Sequence, residues 1–147
     1  MGLTLEVILF ALLVLVLNVM DSVTTELCFR QYPDKSLKGE GNPVMRWLML
    51  KSRTLAEICK QGFVFGIVAY FVYNYELVSL RYALIMFSLV VLNNSYVFLS
   101  RALLKRKVET PFHRLIAFLH IPDRFGYLSI IFIIVLLTRS IYYLIWG

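Results

Sequence analysis

The sequence predicts an all-α, polytopic membrane helical bundle: four transmembrane helices plus one or two interfacial amphipathic helices. Composition is the first reason. Of 147 residues, 60% are hydrophobic and 16% charged, whereas a soluble domain lies near half apolar and a quarter charged. Mean hydropathy is +0.76. Four apolar runs approach the roughly 20 residues that cross a hydrocarbon layer. The basic residues, finally, collect in two of the connecting segments. The length allows one bundle, residues 1–147, without a separate soluble domain.

The first span is expected over residues 3–29. Leu3 to Leu17 is interrupted only by Thr4 and Glu6. No basic region precedes this run and no small-residue cleavage site follows it, so it reads as a retained helix. A polar loop with Pro33, Gly39 and Gly41 comes next. Asn42-Pro43 restarts a helix, Asn as the cap and Pro at the first position. From residue 43 to 53 apolar residues alternate with Arg46, Lys51 and Arg53, the pattern of a helix lying at the interface.

The second span is expected over 55–75. It enters through Glu57, Lys60 and Gln61 and leaves through Tyr70, Tyr73 and Tyr75, an aromatic belt. Gly62 and Gly66 form a GxxxG pair, which permits close helix contact. A turn over Glu76–Ser79 leads to the third span, 80–104, which carries Asn93-Asn94-Ser95 and ends at Lys105-Arg106-Lys107. In the next connector Phe112, Leu115, Ile116 and Leu119 fall at helical spacing and suggest a second interfacial helix. The fourth span, 125–146, is nearly all apolar apart from Thr138 and Arg139.

Charge orients the spans. Twelve Lys and Arg lie in or beside the first and third connections, against Arg81 alone near the second. The positive-inside rule then places loops 30–54 and 105–124 in the cytoplasm and both termini outside, in a cell membrane. The net charge of +6 has this origin. Nucleic-acid binding is excluded, because no basic face is interleaved with aromatic residues. Cys28 and Cys59 have no metal or redox spacing.

The polar residues converge at one depth. At 1.5 Å per residue, Asn18 lies about 22 Å and Asp21 about 27 Å below Leu3, Asn93 and Asn94 about 20 Å below Leu80, and Lys60 about 7 Å above Leu55. All fall in the cytoplasmic third of the membrane. Asn18, Asp21 and Thr25 share a helical face. A charge inside a membrane needs a partner, and Lys60 is the expected partner of Asp21. Gln61 joins them, and Glu40 and Asn42 are expected to fold over as a lid. The candidate site is therefore Asn18, Asp21, Thr25, Glu40, Asn42, Lys60, Gln61, Asn93 and Asn94.

The order Asn18-x-x-Asp21-x-x-x-Thr25, Glu40-x-Asn42-Pro43, Lys60 and Asn94 resembles a family of short prokaryotic integral membrane proteins of unknown function. The resemblance covers Leu3 to Leu104 and leaves out the fourth span. It implies a shared polar site and names no activity.

Three functional readings follow. The first is a binding or accessory subunit of a membrane assembly, with the polar site at the cytoplasmic leaflet and with lipids, further copies or other membrane subunits as partners. The second is a small oligomeric ion transporter or channel. The third is an enzyme acting on a lipid or isoprenoid phosphate, with Asp21 or Glu40 as acid/base and Lys60 on phosphate. The absence of a nucleophile–base pattern puts the first reading ahead. The oxygen donors suit a hard cation, but Lys60 opposes a highly charged one. No cofactor or metal is specified by the spacing. His113 and His120, seven residues apart, are placed to share a helical face.

Overall fold

The computed structural model describes residues 4–31, 42–105, 110–120, 122 and 125–147. Among these there are helices and no strands: α1 (Leu5–Arg30), α2 (Pro43–Lys51), α3 (Arg53–Tyr73), α4 (Leu77–Leu104), α5 (Pro111–Phe118) and α6 (Gly126–Trp146). Helices α1, α3, α4 and α6 are long and apolar enough to cross a membrane.

Helix ends differ from the predicted ones where local chemistry decides. The helix expected over 43–53 is cut at Lys51, because Ser52 is extended (φ −162°, ψ 120°) and its hydroxyl accepts from the Leu55 N–H at 3.2 Å. Ser52 thereby caps α3. The turn expected over Glu76–Ser79 is tighter and earlier, and α4 starts at Leu77 rather than Leu80. Tyr75 takes the left-handed conformation (φ 56°). The Glu76 N–H reaches Phe71 O at 2.8 Å and the Tyr75 N–H reaches Val72 O at 3.2 Å. This is a Schellman closure with tyrosine where glycine is usual. Arg81 consequently lies in the second turn of α4 rather than in its first.

On α1 the buried residues are Val7, Ala11, Val14, Asn18 and Asp21, alternating steps of four and three that make a narrow seam. The other faces of α1 expose leucine, valine and methionine, as a helix surrounded by hydrocarbon would. The seam divides in two. Val7, Ala11 and Val14 pack with Val68 of α3 and Leu80 of α4, buttressed by Phe10, Phe71 and Phe87. Beyond Val14 the same seam turns polar. Lipid is as apolar as these side chains, so the apolar half gains packing contacts rather than a hydrophobic driving force.

Glu6 meets Arg81 near the start of α1 and α4, and Gln31 meets Phe98 O towards their ends; α1 and α4 therefore run parallel. Asp21 meets Lys60 and Glu26 meets Arg53, so α3 is antiparallel to α1. Two ends result, a basic one with Arg30, Lys51, Arg53 and Lys105 and a tyrosine-rich one with Tyr73, Tyr82 and Tyr142.

The chain repeats one unit. A 26-residue helix, a 9-residue helix begun by proline and a 21-residue helix are followed by helices of 28, 8 and 21 residues, the short one again begun by proline. α1 packs on α3 as α4 packs on α6, α2 packs on α3 as α5 packs on α6, and the two units meet along α1 and α4. The predicted GxxxG pair is not at an internal contact: a Cβ at Gly62 or Gly66 would meet nothing within 4 Å. The two glycines line an open groove of about 540 Å³ with Phe63, Ile67, Tyr70 and Phe71.

Asn42 caps α2, its Oδ1 accepting from the Val44 and Met45 N–H groups at 3.0 and 3.2 Å. Asn42→Ala is expected to destabilise this turn by about 1 kcal/mol. Hydrogen exchange at Val44 and Met45 should accelerate, with Asn42→Asp retaining protection. Unchanged exchange in the alanine variant would remove the cap from the account of α2.

Candidate functional site

The polar half of the α1 seam is built around Asp21, 8% exposed. Its Oδ2 accepts from Lys60 Nζ of α3 at 2.6 Å. Its Oδ1 accepts from Asn94 Nδ2 of α4 at 3.0 Å and from Thr25 Oγ1, one turn on in α1, at 3.4 Å. Three helices thus converge on one carboxylate. The ion pair is well shielded, with side-chain exposures of 19% for Lys60 and 12% for Asp21.

Asn94 Nδ2 also reaches Thr25 Oγ1 at 3.1 Å. On the other side, Ser22 Oγ accepts from Lys60 Nζ at 2.9 Å and from Gln61 Nε2 at 3.0 Å. Gln61 Nε2 also donates to Glu57 Oε1 at 2.6 Å, and Asn18 Nδ2 donates to Gln61 Oε1. Asn18 is fully buried.

Carboxylates only accept hydrogen bonds, so they orient the amides around them. Glu57 draws Nε2 of Gln61, which turns Oε1 of Gln61 to the amide nitrogen of Asn18. Asp21 draws Nδ2 of Asn94, whose Oδ1 then accepts from Asn93 Nδ2 at 3.4 Å. Each chain ends in a buried carbonyl oxygen, Asn18 Oδ1 or Asn93 Oδ1, with no partner among the described residues. Such a group costs about 1–3 kcal/mol.

The structure therefore brings together Asn18, Asp21, Thr25, Lys60, Gln61 and Asn94, with Asn93 at the edge. Asn42 is instead committed to capping α2 through its Oδ1. Glu40 lies outside the described residues. Ser22 and Glu57 belong to the network although the predicted set omits them. Their signal was present: Ser22 is one turn from Asn18, and Glu57 one turn from Gln61. Cys28 Sγ to Asn94 O (3.4 Å) and Gln31 Nε2 to Phe98 O (3.3 Å) extend the α1–α4 seam towards the basic end. There Glu26 pairs with Arg30 at 3.2 Å and Arg53 at 3.5 Å.

His113 and His120 do not share a helical face, since α5 ends at Phe118 and His120 has a left-handed backbone (φ 55°). His113 stays at the start of α5, where its N–H meets the capping Thr110 hydroxyl at 3.1 Å. No group of three His, Cys, Asp or Glu able to hold a metal occurs among the described residues. At the tyrosine-rich end Glu6 pairs with Arg81 at 2.5 Å. The Arg81 guanidinium also lies 5.5 Å from the Phe10 ring and 5.0 Å from the Trp146 ring.

The fold and site define a class: a multi-pass helical bundle whose first, third and fourth helices are tied by a shared carboxylate network. Residues 12–100 match the family described as a domain of unknown function, DUF5658, and the chain belongs to that family. The matched segment contains every residue of the network, while α5 and α6 lie beyond it. Searches of curated proteins and of solved structures give no match.

Removing one member of the ion pair strands the other in a shielded site, at a cost of about 3 kcal/mol. Asp21→Asn and Lys60→Met should each lower the unfolding midpoint in detergent. The double variant Asp21→Asn/Lys60→Met should lose less than the two single losses added together. Strict additivity would show that the two side chains do not interact.

Proposed function

We propose that this protein is a non-catalytic binding or accessory subunit of a membrane assembly. The network of Asp21, Lys60 and Asn94 holds the register of α1, α3 and α4 so that a fixed surface is presented to a partner. The observation that carries this reading is mutual satisfaction: both oxygens of Asp21 are engaged by side chains of the chain itself. A carboxylate with both oxygens engaged in this way is poorly placed as a general base or a cation ligand.

The pattern Asn18-x-x-Asp21-x-x-x-Thr25, with Lys60 and Asn94, is in this reading the feature shared within the family. The open groove at Gly62 and Gly66 is where a helix of another copy or another subunit approaches most closely. The basic end faces the cytoplasm and both termini face outward, which puts the network in the cytoplasmic leaflet. The positive-inside rule supports this orientation. An alkaline phosphatase fused after Gly147 should be active outside the cell, and an inactive fusion would reverse the orientation.

A second reading, a small cation path in an oligomer, is favoured by one observation. The two carboxylates Asp21 and Glu57 outnumber Lys60 within the network, and buried carbonyl oxygens stand at its margins. Native mass spectrometry of the detergent-extracted protein separates the readings. In the subunit reading, wild type carries a second chain, and Asp21→Asn loses it with no change in small ligands. An ion retained by wild type and lost in Asp21→Asn would favour the path. A stable isolated monomer with no bound partner would count against the subunit.

A further inference from the structure

The two short helices share more than their position in the repeated unit. Both open with Pro-x-x-Arg, Pro43 to Arg46 and Pro111 to Arg114, and both continue with four apolar residues: Trp-Leu-Met-Leu in α2 and Leu-Ile-Ala-Phe in α5. Both are capped by the side chain before the proline, Asn42 and Thr110. Each packs against the long helix that follows it, at the basic end. Each also turns apolar side chains outward. Val44, Trp47 and Leu50 are exposed on one face of α2, and Leu115 and Phe118 are exposed on α5.

Cations accompany these apolar faces. The Lys51 ammonium stands 3.9 Å from the centroid of the Trp47 ring. Among the described residues neither Lys51 nor Arg114 takes part in an ion pair, whereas Arg30 and Arg53 at the same end are both taken by Glu26. An exposed apolar face beside cations that no described carboxylate neutralises fits one environment: the boundary between acyl chains and negatively charged headgroups.

We propose that α2 and α5 are a matched pair of contacts for anionic phospholipid headgroups. Trp47, Leu50 and Phe118 enter the acyl margin. Lys51 and Arg114 hold headgroup phosphates at the level of the bundle's basic end. The two contacts sit on the two repeated units and so engage the leaflet at two places, which fixes the bundle against tilting. This inference is independent of the Asp21 network.

The test uses the full chain in nanodiscs made from equal parts phosphatidylcholine and phosphatidylglycerol, with retained lipids counted by native mass spectrometry. Wild type is expected to keep phosphatidylglycerol in excess. Lys51→Gln/Arg114→Gln should cut that excess about tenfold, since each surface cation contributes about fivefold before screening. The charge-conserving Lys51→Arg/Arg114→Lys should keep it, as should Asp21→Asn, which separates this result from failure of the subunit reading. If the glutamine variant does not insert, a salt series on wild type decides: an excess that shrinks with salt supports the contact. The proposal is overturned if wild type retains the two lipids in the ratio supplied, if the glutamine variant keeps the excess, or if salt leaves it unchanged.

Discussion

The Asp21 carboxylate is the constraint on which the rest of the bundle depends. A charge on a helix bordered by hydrocarbon must be compensated within the protein. Asp21 meets that need with donors from three helices: Lys60 on α3, Asn94 on α4 and Thr25 on α1. Sliding α3 or α4 by one turn along α1 would remove at least one of these donors while leaving apolar contacts nearly as good as before. The apolar half of the seam holds the helices close. The polar half decides their register.

Much of this was legible in the sequence because depth is nearly one-dimensional in a membrane. Counting residues from the ends of three spans put Asn18, Asp21, Lys60, Gln61 and Asn94 in one layer, and the structure joins them by side-chain hydrogen bonds. Rotation about the helix axes was less accessible. The sequence offers Asn42 two roles, cap of the helix begun by Pro43 and part of a lid, and its Oδ1 is taken by the first. The spacing of His113 and His120 suggested a common face only while the helix was assumed to continue past Phe118. The early start of α4 at Leu77 was hidden because the turn is closed by Tyr75 in a conformation usually left to glycine. The Gly62–Gly66 pair shows that a small-residue motif states what a face permits, not which helix occupies it.

The two repeated units use one architecture with different chemistry at equivalent seams. Between α1 and α3 the seam carries Asp21, Ser22, Glu57, Lys60 and Gln61. Between α4 and α6 the contact at the tyrosine-rich end is aromatic, with Tyr82 stacked on Tyr142 at 4.4 Å. That aromatic group continues through Trp146 to Phe10 and encloses Arg81, already paired with Glu6. The α1–α3 seam is thus fixed mainly by charge near the basic end, and the α4–α6 seam by ring packing near the other. With α1 and α4 parallel between them, the bundle is pinned at both depths.

The cations of the basic end divide their work in the same physical terms. Lys60 lies deep and shielded, and it is neutralised by Asp21 at 2.6 Å. Arg30 and Arg53 are exposed and share Glu26 at 3.2 and 3.5 Å, contacts that screening reduces to a small contribution. Lys51 stands over an aromatic ring and, among the described residues, pairs with no carboxylate. Among the described residues, Lys60 in the interior is thus fully paired, while Lys51 and Arg114 on the short helices take part in no ion pair. A bundle stabilised only by internal ion pairs would have no reason to set Lys51, without an ion pair among the described residues, beside exposed Trp47 and Leu50. That arrangement has a physical reason if Lys51 and Arg114 meet the negative charge of lipid headgroups.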